Sequence, residues 1–94
     1  MPYQFEWDAD KAAANLRRHR VSFDEAVTAF SDPLSILLPD PAHSVGEERY
    51  LVLGTSNTGR LVVVAYAERP PDTRIITARL ATRRERHDYE EGQR

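Results

Sequence analysis

Lys11, Asn15 and His19 recur every four residues, so on a helix they share one face, with Arg18 beside them. A cation, an amide and a group that titrates near neutrality, aligned in this way, can hold a phosphate and move a proton. The plainer reading is a solvated helix face opposite a buried alanine side, and spacing alone favours it. Glu48-Arg49 opens a β-rich run. Alternation sends that carboxylate and that guanidinium to opposite faces, so at most one of them enters a given cleft; a surface ion pair at the strand end is the simpler alternative. By the same parity Arg74 and Arg79 fall on opposite faces of the last strand, Arg79 sharing its face with Ile75 and Thr77. An arginine there needs either a water-filled groove or an acid partner, expected from the acid-rich N-terminal half.

Other chemistries lack their residues. Asp40, His43 and Glu48 match no metal-ligand spacing. With no cysteine there is no thiolate zinc site, disulfide framework or cysteine nucleophile. The four glycines do not cluster, so no phosphate-cradling loop is present, and no nucleophile elbow occurs. Tyr89 reads as packing for the last helix rather than as a platform for a stacked base. What remains is acid–base and electrostatic catalysis on a phosphodiester, or a non-catalytic binding module.

Charge distribution bears on that choice. The 94 residues carry a formal charge of −2, which argues against a nucleic-acid partner until the chain is divided. Residues 1–48 hold nine acids and four Lys or Arg, whereas residues 73–87 hold five arginines against Glu85 alone. Arg17, Arg18, His19 and Arg20 form a second basic knot, and Lys11 is the only lysine. Arginine suits bidentate phosphate contacts, although a GC-rich genome would produce the same bias. No apolar run approaches the roughly 18 residues of a membrane span, and the N-terminus has no leader pattern. The expectation is a single cytoplasmic domain over residues 1–94 without a membrane partner.

These residues must be positioned by a few short elements. Residues 3–7 alternate, with Tyr3, Phe5 and Trp7 on one side, as in an edge strand. Asp8 caps a helix over 9–20 whose buried side would be Ala9, Ala12, Ala13 and Leu16. Ser22-Phe23-Asp24-Glu25 has capping-box form and opens a second helix through Phe30. Strands follow at 34–38, 49–55, 60–67 and 74–80. The middle pair is joined by a Ser-Asn-Thr-Gly hairpin, and Leu61–Val64, apolar on both faces, marks a central strand. Thr82-Arg-Arg-Glu85 starts a C-terminal helix that Gly92 ends. The fold class is α+β, an antiparallel meander with two N-terminal helices on one face and a short, polar C-terminal helix.

In this order the residues resemble the BrnT family of toxins. The resemblance rests on Phe5-Glu6-Trp7-Asp8, Lys11, Asn15, His19, Val21 and Ser22–Ala26 at the start. Asp40, His43-Ser44, Glu48-Arg49, Gly54 and Gly59–Val64 carry it through the middle, and Arg74–Arg79, Ala81-Thr82, Glu85-Arg86 and Tyr89-Glu90 to the end. It departs at Arg20, where a glycine commonly follows the histidine, at Tyr50, and at Leu80, the last two replacing basic residues. The resemblance implies a RelE-like fold and a type II toxin that cleaves RNA and blocks translation without metal or cofactor. It implies RNA as substrate and a cognate antitoxin with a ribbon-helix-helix DNA-binding part, so that DNA is reached only through the antitoxin. A catalytically silent module of the same fold, acting with that partner in autoregulation, is the alternative.

On that reading the ribose 2′-hydroxyl attacks the adjacent phosphate and leaves a 2′,3′-cyclic phosphate. Arginines would stabilise the phosphorane charge, Arg79 first, then Arg49 or Arg74. His19 would be the acid or base, with Glu48 the second choice for base. Lys11, Asn15, Arg18, Arg83 and Arg86 would complete the RNA contacts.

Overall fold

The computed structural model describes residues 4–40 and 43–93. Tyr3, and Pro41 and Ala42 of the long loop, lie outside them. Five strands form one sheet: β1 (Gln4–Glu6), β2 (Ile36–Pro39), β3 (Arg49–Thr55), β4 (Leu61–Arg69) and β5 (Asp72–Leu80). The helices are α1 (Ala9–His19), α2 (Phe23–Thr28), continued by a 3-10 turn at Ala29–Ser31, and α3 (Arg83–Glu91). The spatial order β1-β5-β4-β3-β2 puts β4 at the centre, where Leu61, Val62, Val63 and Val64 are all buried. This is the small α+β arrangement expected, with one correction. The β2–β5 meander is antiparallel, but β1 joins β5 in parallel, so the sheet is mixed. The chain from β1 must cross over through α1 and α2 before it can return along that edge.

Each face of the sheet has its own apolar cluster. On one, Val52, Val62, Val64, Tyr66, Ile75 and Ala78 meet Val21, Phe23, Ala26 and Ala29 from the α2 region. Phe30 holds Phe5 and Tyr66 edge-on, each with ring centroids 5.0 Å apart. On the other, Leu53, Leu61 and Val63 pack with Ile36, Leu51, Ala81 and Tyr89 of α3. Gly54 is required where the 3-10 turn crosses β3, because a Cβ there would lie 2.9 Å from the Ala29 carbonyl oxygen.

Of the expected inward side of α1 only Ala12 packs against the core. Ala9, Ala13 and Leu16 are exposed, Leu16 by 47%, while Asn15 on the polar row is buried. β1 covers only Asp72–Arg74 of β5, which leaves the edge open further along. Asn15 fills that opening. Its Nδ2 donates to the Ala78 carbonyl at 2.8 Å and to the Val21 carbonyl at 3.0 Å, while its Oδ1 accepts from the Ala78 amide at 3.2 Å. One side-chain amide thus bonds Ala78 as a neighbouring strand would.

A second departure lies in β5. Tyr66 pairs with Ile75 and Ala65 with Thr77, so Ile76 is an unpaired extra residue. Such a bulge shifts side-chain parity by one. Ile75 therefore faces the α2 cluster, whereas Arg79, opposite Val63, faces the α3 side. Arg74, opposite Ala67, also lies on the α3 side, together with Arg49 on the far flank of Ala67. Arg74 and Arg79 consequently share a face, contrary to simple alternation, and Arg79 parts from Ile75.

Candidate RNA-binding groove

The bulge is where the polar candidates converge. Lys11, Arg17, Arg18 and His19 of α1 line one side of an open groove of about 700 Å³, with Ile76 and Thr77 forming its floor. Lys11 and Ile76 also line an adjoining cleft of about 60 Å³, which adds Arg49, Arg69 and Arg74. The two adjoin at that lysine and the bulged residue, and together they make a basic channel along the sheet edge. The acids along it are Asp8 and Glu47.

Local structure explains each position. Asp8 is committed as the α1 cap, its carboxylate accepting from the Lys11 amide at 2.9 Å. With Asn15 pinned to Ala78, Lys11 and His19 stand one turn to either side of it on the groove face. Arg49 and Arg74 flank Ala67 on neighbouring strands, so their Cα atoms sit about two strand spacings, roughly 10 Å, apart. Arg74 meets Glu6 of β1 at 3.6 Å. Arg69 is held by Glu47 through two hydrogen bonds of 2.8 and 3.3 Å. Arg49 differs from both. Its Nε is buried without any hydrogen-bond partner, and Glu47 Oε1 lies 3.9 Å away, beyond bonding range. A desolvated guanidinium N–H without an acceptor is costly unless a ligand supplies one.

Several expected members are elsewhere. Glu48 points to the opposite side of the sheet from Arg49, as alternation requires, and accepts from the Tyr50 hydroxyl at 3.2 Å. It therefore does not join the arginine cleft. Arg79 does not line the channel either. It makes a two-point contact with Glu85, Nη1–Oε1 2.7 Å and Nη2–Oε2 2.9 Å. Its acid partner comes from α3, not from the N-terminal half. Glu85 is at the same time the third residue of a complete capping box, accepting from the Thr82 amide at 2.9 Å. These bonds, that of Arg79 first, hold its carboxyl at about 2. Arg83 and Arg86 are exposed on α3 and do not line the channel. Asn15 lines the groove, but both of its N–H donors are spent on backbone carbonyls. Tyr89 packs α3 to the sheet, as expected, and its hydroxyl donates to Asp32 at 2.6 Å.

Sequence reasoning missed Arg69 and Glu47. The strand expected over 60–67 runs two residues further and carries Arg69 to the cleft. Glu47 lies in the loop before β3, and the Glu-Glu-Arg run is its only signal in the sequence. Asp40, His43 and Glu48 form no metal-binding group, and no cluster of that kind occurs among the described residues. No described helix is long and apolar enough to cross a membrane.

A small mixed sheet with a helix-lined basic channel at its edge offers cations to an anionic ligand such as a nucleic-acid strand. Comparison gives this a family. The model of "Ribonuclease toxin, BrnT, of type II toxin-antitoxin system" matches residues 7–85, and the chain belongs to that family. The fold is similar to that of the Brucella abortus ribonuclease toxin BrnT, known from a 1.1 Å crystal structure. That match has a TM-score of 0.67 and 18% identity, and covers 87% of this chain and 100% of the other. No curated protein sequence matches significantly. Membership in a type II toxin family implies an RNA substrate and an antitoxin partner.

Proposed function

We propose that this protein is a cytoplasmic endoribonuclease toxin that cleaves RNA by attack of a ribose 2′-hydroxyl on the adjacent phosphate. Translation is thereby blocked, and a cognate antitoxin with a ribbon-helix-helix part restrains the enzyme. The observation that carries this reading is Arg49, which has a buried, unbonded Nε and lines a cleft shared with Arg74 and Lys11. A phosphodiester seated there gives this guanidinium the acceptor it lacks.

Residues along the cleft and groove support this reading. Arg49 and Arg74 face the phosphate from two strands of a rigid sheet, so they are preorganised for the charge that grows on the phosphorane oxygens. Lys11 bridges cleft and groove and orients the next phosphate. The 700 Å³ groove has room for a nucleotide, with Arg17 and Arg18 along its rim. His19, about two helical turns from Lys11 on the groove side, lies along the path of the strand beyond that phosphate. Arg79, tied to Glu85, instead anchors α3 further along the same face of the sheet.

The test is incubation of the pure protein with RNA in EDTA, followed by analysis of the new ends. Cleavage with 2′,3′-cyclic phosphate and 5′-hydroxyl ends is expected, reduced roughly 10²–10³-fold in a folded Arg49→Ala protein. Intact RNA, together with unimpaired growth on expression, would leave a binding module instead.

A further inference from the structure

We propose that Glu47 is the general base of this reaction, an assignment that rests on the RNA-cleavage reading. Two carboxylates line the arginine cleft, Asp8 and Glu47. Asp8 is occupied as the helix cap. Glu47, although it accepts from Arg69, is the acid nearest the unsatisfied guanidinium, 3.9 Å from Arg49 Nε. Glu48 accepts from Tyr50 on the other side of the sheet and cannot serve a phosphate held by Arg49.

Proximity supplies the rest of the argument. A ribose 2′-oxygen is adjacent to its own 3′-phosphorus, so whatever grips that phosphate fixes where the hydroxyl lies. Arg49 and Arg74 grip it from the floor of the cleft, which brings the hydroxyl beside the carboxylate that already faces Arg49 and Arg69. Glu47 takes the 2′-hydroxyl proton, the 2′-oxygen–phosphorus bond forms and the phosphorus–5′-oxygen bond breaks. The 5′-oxygen takes a proton from solvent as it leaves, and Glu47 afterwards returns its own to solvent. The products are a 2′,3′-cyclic phosphate and a 5′-hydroxyl, and no other reactant is consumed. Before substrate arrives, hydrogen bonds from Arg69, with the nearby charge of Arg49 and Arg74, hold the Glu47 carboxyl below its usual range. The base is therefore ionised at neutral pH. Substrate phosphate draws these guanidiniums toward itself and leaves the carboxylate more basic when it is needed.

The experiment is RNA cleavage by wild type, E47Q, E47D and E48Q, as kcat and KM over ~pH 3 to ~pH 8. Expected for E47Q is a kcat lower by about 10²–10⁴-fold, KM within a few-fold, and loss of the acid limb of the profile. E47D is expected to keep the limb at a reduced rate, and E48Q to resemble wild type. An E47Q enzyme with wild-type or higher kcat and an unchanged limb would mean that Glu47 merely competes with phosphate, and the proposal fails. Loss of the limb in E48Q alone would overturn it equally. A wild-type protein that releases no cyclic phosphate overturns the RNA-cleavage reading, and this assignment with it.

Discussion

Asn15 and Ala78, 63 residues apart, are joined by two hydrogen bonds that run in opposite directions between a side-chain amide and a backbone peptide unit. The helix therefore sits on the open edge of β5 at a fixed height. Asn15→Ala leaves the Ala78 amide and the Ala78 and Val21 carbonyls without these partners, at two residues that are themselves fully buried. The expected cost is about 2–4 kcal/mol. Urea denaturation should show a lower midpoint, and hydrogen exchange at the Ala78 amide should accelerate well beyond that of the Val62–Val64 core. A midpoint equal to that of wild type would mean the edge has another partner.

This bond explains why part of the fold was legible in sequence and part was not. Arg49–Thr55 was found to the residue because alternation and the Ser-Asn-Thr-Gly turn both bound it locally, and Gly59 indeed adopts φ 86° there. Asp8, Ser22 and Thr82 cap the expected helices because capping is a contact over three residues. The inward face of α1 could not be read in this way. Three alanines outrank an asparagine in hydrophobicity, and only the missing strand beside Ala78 makes the amide the better buried group. The bulge at Ile76 likewise leaves no mark in composition, yet it decides which arginines share a face. Of the candidates legible in sequence, Lys11, Arg18 and His19 line the groove and Lys11, Arg49 and Arg74 the cleft, while Glu48, Arg79, Arg83 and Arg86 line neither.

Arg20 ends α1 in the left-handed region, at φ 60° and ψ 27°, with its amide on the Leu16 carbonyl. A side chain in that conformation costs about 1–2 kcal/mol relative to glycine, partly offset by the greater freedom of an unfolded glycine. Arg20→Gly retains the carbonyl that accepts from Arg60 at 2.9 Å. The expected gain is roughly 0.5–1 kcal/mol, read as a raised urea midpoint. Arg20→Val should move the midpoint the other way.

Arg79 anchors α3 through Glu85, and no residue of that helix is fully buried. A helix this short and polar gains little from its own propensity. Arg79→Ala should lower stability by about 1–3 kcal/mol and reduce helical circular dichroism. RNA cleavage by the folded variant should fall less than about 10-fold, far less than for Arg49→Ala. A folded Arg79→Ala protein with a loss of roughly 10²–10³-fold would return Arg79 to the reacting phosphate.

Two carboxylates should dominate the response to acid. Arg60 hydrogen-bonds Glu25, and Ser56 and Thr58 add bonds of 2.6 Å each, which together hold the Glu25 carboxyl at about 2 against burial. Glu85 is held at about 2 chiefly by Arg79. Both native values lie below the ordinary 4.5. The native state therefore binds fewer protons than the unfolded one between these limits, so stability falls as pH falls. Each pair's contribution is complete above about pH 5 and is lost on descending toward about pH 2. After allowance for solvent screening, the loss is on the order of 1–2 kcal/mol per pair. Urea midpoints of wild type should drop steeply from about pH 5 to about pH 3, while Glu25→Gln and Glu85→Gln each start lower and fall less. Parallel curves for all three proteins would show that neither carboxylate is a source of the acid sensitivity.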